Sequence, residues 1–129
     1  MRSKASTDKR RATELHGLIV RSLGRCELHD LPPGYCSGPL QCCHIIGRAS
    51  SGTRTDLANA ICGCQGHHSW IDSHIADKVW WVDLHRGEGE YRRLQAKADA
   101  YKDLPTTAMM FWREERARLT LEAKERGLV

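Results

Sequence analysis

The chain has 129 residues, 40% hydrophobic and 28% charged, with a formal net charge of +4. That is enough for one domain on a small core and too little for two, and a metal staple would add much to such a core. No apolar run approaches the roughly 18 residues of a membrane span, and the basic start MRSKASTDKRR has no hydrophobic stretch behind it; both argue against a membrane protein or secreted precursor and for a cytoplasmic location.

Residues 1–25 carry seven Lys or Arg against Asp8 and Glu14, so most of the excess charge sits at the N-terminus. A basic arm attracts nucleic acid through counterion release, although charge alone fits a solvated tail better. The spacing of Ala12, Leu15, Leu18, Ile19 and Leu23 predicts a helix over 7–23, capped by Ser6 or Thr7 and ended by Gly24. Pro32, Pro33, Gly34 and Gly38 make 30–39 a loop. The apolar run 40–46 suits a strand, a polar loop over 47–55 carries Arg48 and Arg54, and 58–62 returns as a second strand. Gly63 and Gly66 then allow a tight metal-binding turn.

From His67 the pattern is helical. Ile71, Ile75, Val79 and Val82 share a face until Gly87 and Gly89 stop the helix. Tyr91, Leu94, Ala98 and Tyr101 predict a second helix over 90–102, and Pro105 separates a third, charged one over 106–126. Trp70, Trp80, Trp81 and Trp112 read as core or partner contacts. His16, His74 and His85 read as surface or packing residues, with His74 an outside candidate for a catalytic metal. The order is helix, a metal-rich ββα centre, then helices.

All six Cys (Cys26, Cys36, Cys42, Cys43, Cys62, Cys64) fall within 26–64, with His29 and His44 among them and His67 and His68 just after. Without a signal peptide these thiols read as metal ligands, and interleaved His adds nothing to a disulfide framework. Cys26-Glu-Leu-His29 and Cys64-Gln-Gly-His67 are two C-x-x-H pairs, each giving two ligands from one tight turn, as a tetrahedral structural Zn2+ needs. Cys36, Cys42 or Cys62 could each stand in for His29. A second constellation is His44, Asn59 and His68, followed by Asp72. His68 and Asp72, four apart, share a helix face that suits two ligands on one cation, and a strand His opposite them could take a proton from water.

The segment LQCCHIIGRASSGTRTDLANAICGCQGHH resembles the metal-finger core of HNH endonucleases, particularly the small phage and prophage type, closely over about residues 24–75 and loosely beyond. The resemblance implies an α+β fold: a zinc-stapled ββα-metal (His-Me finger) core over 24–85, an N-terminal arm and helix over 1–23, and a C-terminal helical extension over 86–129. By position, His44 matches the general base, Asn59 the middle residue that holds the inter-strand loop, and His68 a catalytic metal ligand. Asp72 matches a further ligand of some members, and Cys26, Cys64 and His67 match the zinc knuckle, with His29 beside them.

The activity implied is metal-dependent hydrolysis of DNA phosphodiester bonds in the cytoplasm, of a bacterial host if phage-encoded. Its cofactors would be a structural Zn2+ and a catalytic Mg2+, Mn2+, Ni2+ or Zn2+. Arg48 and Arg54 are candidates for DNA phosphates, and a phage or host protein is a candidate partner for the C-terminal helices. The sequence departs from the family at Cys43, where many members carry Asp or His immediately before the base. A thiolate there would favour softer ions, whereas strand alternation would turn Cys43 into the core, opposite His44. With an ordinary imidazole as base, cleavage would rise with pH through about 6.5. The alternative reading is a non-catalytic zinc-stapled DNA-binding module; a third is a protein-interaction adaptor on the C-terminal helices.

Overall fold

The computed structural model describes residues 3–105 and 108–129. Ser3 caps the first helix, α1 (Lys4–Arg21), by accepting from Ser6 N at 3.1 Å, so it starts a turn earlier than the apolar spacing predicts. Its buried face is Ala5, Ala12, Leu15, His16 and Ile19, while Leu23 lies beyond its end and is exposed. Ala12, Leu15 and Ile19 pack on Leu119 and Ala123 of the last helix, α6 (Met109–Glu125). The basic N-terminal segment is therefore tied down from residue 4 by a helix–helix contact with the opposite end of the chain. An ion pair between Asp8 and Arg116 (3.0 Å) flanks that contact.

Two antiparallel strands follow, β1 (Leu40–His44) and β2 (Ala60–Cys64), in register Leu40↔Cys64, Cys42↔Cys62 and His44↔Ala60. β2 begins two residues later than its composition predicts. Asp56 accepts from Ala58 N at 2.9 Å and caps a 3-10 turn over Leu57–Asn59, which takes up the residues expected to extend the strand. The connection also holds one short helical turn, α2 (Ser51–Arg54).

The helix predicted from residue 67 is two: α3 (Gln65–Asp72) and α4 (Ile75–Arg86). The break lies at Ser73 and His74, whose side chains turn back to the Trp70 carbonyl (3.0 and 2.7 Å) and compete with the helical ladder. The shared face ends there as well, since Ile71 and Val82 are buried but Ile75 is exposed. α5 (Glu90–Ala100) buries Leu94 and Ala98.

The main core joins Leu28, Ile45, Ile61, Ile71, Trp81, Val82 and Leu94, between the hairpin and α3–α5. Trp112 is also buried, Trp70 is half-buried and Trp80 is exposed. The result is an α+β fold: helices around a small two-stranded sheet. Among the described residues no helix is long and apolar enough to cross a membrane.

Candidate functional site

Three elements, β1, β2 and α3, assemble most of the residues of interest. Cys64 ends β2 and caps α3, accepting from His67 N in that helix's first turn. Cys26 arrives from the turn after α1 and accepts from Cys64 N at 3.3 Å. Cys36 arrives from the loop before β1. One ligand atom from each of Cys26, Cys36, Cys64 and His67 lies within 4.8 Å of the others. His67 Nδ1 is 3.0, 3.6 and 3.8 Å from the sulfurs of Cys64, Cys26 and Cys36.

A tetrahedral zinc with Zn–S about 2.3 Å and Zn–N about 2.0 Å separates its sulfur and nitrogen ligands by about 3.5 Å, so this cluster could hold a metal ion such as zinc. His67 Nε2 donates to the carbonyls of Leu31 (2.9 Å) and Pro33 (2.6 Å), which leaves the Nδ1 lone pair toward the thiols. Burial raises the Cys64 thiol, but hydrogen bonds from the His67 and Ser37 backbone outweigh it and hold the thiol down to about 6.

His29, expected in this set, lies outside it. Its ring is exposed, with Nδ1 on the Cys26 carbonyl (3.2 Å) and Nε2 on Asp30 (3.1 Å). The turn that aims Cys26 inward carries His29 out to solvent, and Cys36 takes the fourth place.

Next to the cluster opens a cleft of about 750 Å3, lined by His16 and Arg21 of α1, Cys42 and His44 of β1, and His68 and Asp72 of α3. His44 Nε2 donates to the Arg54 carbonyl at 2.9 Å, so Nδ1 is the nitrogen left with a lone pair. Burial lowers the His44 pKa to about 4, with the charges of His16, Arg48 and Arg54 adding to it against the opposing carbonyl bond. The ring is neutral at pH 7, and an ordinary value near 6.5 does not apply.

Asn59 is fully buried. Its Oδ1 accepts from Ile46 N (2.7 Å) and its Nδ2 donates to the carbonyls of Ile46 and Thr53 (both 3.0 Å). It thereby clamps the inter-strand loop at Ile46 and at Thr53, the residue before Arg54, whose carbonyl orients His44.

His68 Nε2 stands 3.0 Å from Asp72 Oδ2, one helical turn on, while His68 Nδ1 donates to the Gln41 amide oxygen at 2.8 Å. The other Asp72 oxygen accepts from Lys78 Nζ (2.9 Å), and Lys78 also donates to the His44 carbonyl (3.2 Å). Burial raises the Asp72 carboxyl, but the His68 and Lys78 contacts outweigh it and hold the group down to about 2.

Cys43 turns away from this group. It is fully buried, and a Cβ added at Gly63 would come within 2.9 Å of its sulfur. Burial pushes its thiol up. Strand alternation thus takes Cys43 into the core, and its assignment as a ligand beside the base is corrected. Arg48 is exposed at the cleft. Arg54 instead donates to Thr13 Oγ1 and the Arg48 carbonyl (both 3.2 Å), tying the loop to α1 rather than facing the cleft. His74 stacks on Trp70 with ring centroids 4.0 Å apart, and His85 on Trp81 at 4.4 Å.

Four residues enter the site that sequence spacing did not single out for it: His16, Arg21, Gln41 and Lys78. His16 comes from a separate helix and Lys78 from the far side of the α3–α4 break, so no local periodicity links them to the others. Comparison with family models, with curated proteins and with solved structures finds no match to this chain.

Proposed function

We propose that this chain is a metal-dependent DNA endonuclease of the HNH type, its β1–β2–α3 unit serving as a ββα-metal core. The observation that carries this reading is His44, a neutral imidazole with one nitrogen held by a backbone carbonyl, in the same cleft as the His68–Asp72 pair. A general base needs that state: unprotonated at working pH and fixed in orientation.

In this reading His44 Nδ1 accepts a proton from a water that attacks phosphorus in line. Arg21 and Arg48, at the cleft, hold the flanking phosphates. His68 and Asp72 offer one nitrogen and one oxygen on a single helix face, a donor set that suits Mg2+, Mn2+, Ni2+ or Zn2+. A divalent cation bound by them would stabilise the charge that builds on the phosphate and the leaving 3′ oxygen. Gln41 and Lys78 position these two ligands through His68 Nδ1 and Asp72 Oδ1. Cys26, Cys36, Cys64 and His67 would hold a structural Zn2+ that would fix the start of α3, and so His68, against the hairpin.

The test is supercoiled plasmid incubated with the purified protein in Mg2+, Mn2+, Ni2+ or Zn2+, with EDTA as control. Nicked or linear DNA that appears only with metal supports the reading. DNA binding without cleavage in any metal would mark a zinc-stapled binding module instead.

A further inference from the structure

Three residues from two distant parts of the chain meet at the cleft, and two of them, His16 and Cys42, have no role in the scheme above. One ligand atom from each of His16, Cys42 and His44 lies within 4.8 Å of the other two. His16 is buried on α1, and its Nδ1 lies 3.6 Å from Cys42 Sγ. Its Nε2 donates to the Asp56 carbonyl at 3.0 Å, as His44 Nε2 donates to Arg54. Each ring therefore keeps its lone pair on Nδ1, and each is held in place by a carbonyl from the same inter-strand segment.

His67 has the same arrangement within the four-ligand cluster: Nε2 on carbonyls, and Nδ1 3.6 Å from the Cys26 sulfur. A backbone carbonyl on one imidazole nitrogen with a thiol near the other is a pattern that orients His for a metal. His44 is two residues from Cys42 on the same face of β1, so its ring joins the His16–Cys42 pair from the strand side.

We propose that His16, Cys42 and His44 form a second site for a soft divalent cation such as Zn2+, with the fourth position open to the cleft, and that an ion there disables His44 as a base. The donor set, two imidazoles and a thiolate, favours zinc over magnesium. On binding, Cys42 gives its proton to solvent and the His44 Nδ1 lone pair goes to the metal, so that nitrogen no longer accepts a proton from water. The binding claim stands on the geometry alone; the inhibition rests on the nuclease reading of His44. The same ion would bridge α1 to β1, joining the helix to the hairpin.

The experiment starts from full-length protein carrying one Zn2+ per chain and adds Co2+, read by absorption and by metal analysis of the desalted protein. The result expected is Co2+ bound beyond the retained zinc, including one ion with tetrahedral d–d bands and a thiolate-to-cobalt charge-transfer band, which sets it apart from any Co2+ on His68 and Asp72. Cys42→Ser should lose the charge-transfer band, and His16→Asn should weaken Co2+ binding by about tenfold or more, the least that removal of a ligand should cause. No bound Co2+ beyond the zinc in the wild type, or an unchanged band in Cys42→Ser, would overturn the site.

A second arm adds Zn2+ to plasmid reactions run in Mg2+. Inhibition should appear once Zn2+ exceeds one equivalent, and its midpoint should rise by about tenfold or more in Cys42→Ser, each protein scaled to its own rate without added zinc. Co2+ binding in a protein that cuts no DNA would leave the site standing and remove the nuclease reading. Cleavage without a second bound ion would do the reverse. A second ion that binds without inhibiting would overturn the regulatory half.

Discussion

His44 and Arg54 are joined by a hydrogen bond of 2.9 Å from the imidazole Nε2–H to a backbone carbonyl, and that bond decides which nitrogen of His44 is free. The ring's pKa is lowered to about 4, chiefly by burial. Because folding lowers it from 6.5, the unfolded chain takes up the proton first; the residue's contribution to stability is whole above about pH 6.5 and is lost as pH falls through about 4. NMR of the His44 ring should show no titration between pH 8 and 5.5. A midpoint near 6.5 would contradict this environment for the ring.

Asn59 bonds three backbone groups of the loop, and Asn59→Ala would leave the Ile46 N–H and carbonyl buried without partners, while the Thr53 carbonyl keeps Asp56 N. A loss of about 3 kcal/mol follows from the cost of orphaning buried polar groups. Chemical denaturation of the zinc-loaded protein measures it. A change below about 1 kcal/mol would mean the loop holds its shape without the clamp.

The four-ligand cluster makes a prediction that separates Cys36 from His29. Cys36→Ser should weaken zinc binding by about a hundredfold or more and lower the melting temperature steeply, because structural zinc contributes about 10–16 kcal/mol in small domains. His29→Ala, which alters an exposed ring, should leave both unchanged. Native mass spectrometry with chelator competition compares the two, and the opposite ranking would restore His29 as the ligand.

Cys43→Asp would bury a carboxylate between Gly63 and the Leu28 side chain with no donor to meet it. The expected effect is several kcal/mol of destabilisation, about 2–5, with no gain of Mg2+-dependent cleavage. A stable variant with enhanced activity in Mg2+ would put Cys43 back beside the base.

Much of this architecture was legible from local spacing. The C-x-x-H at Cys64 and His67 brackets a tight turn, and the alternation of β1 already turned Cys43 away from His44. Legibility failed where the deciding contact lay far along the chain. Nothing near Cys26 shows that its partner after a looped excursion is Cys36 rather than the adjacent His29. The long apolar period from Ile71 to Val82 hides a break made by two side-chain hydrogen bonds at Ser73 and His74. His16 read as a packing residue, and it is buried; that its ring meets Cys42 and His44 depends on how α1 lies across the hairpin, which a one-dimensional pattern does not encode. The ordinary imidazole pKa misled for the same reason, since burial is a tertiary property.

The most direct test of the account is the cleavage rate of His44→Ala against wild type on supercoiled plasmid in Mg2+ and Mn2+, with zinc content and DNA affinity measured on the same samples. The account predicts metal-dependent cleavage by the wild type and a loss of about 10²–10⁴-fold in the variant, the usual contribution of a general base, while zinc content and DNA affinity are kept. Equal cleavage by the two proteins, or none by the wild type in any divalent metal, would contradict it.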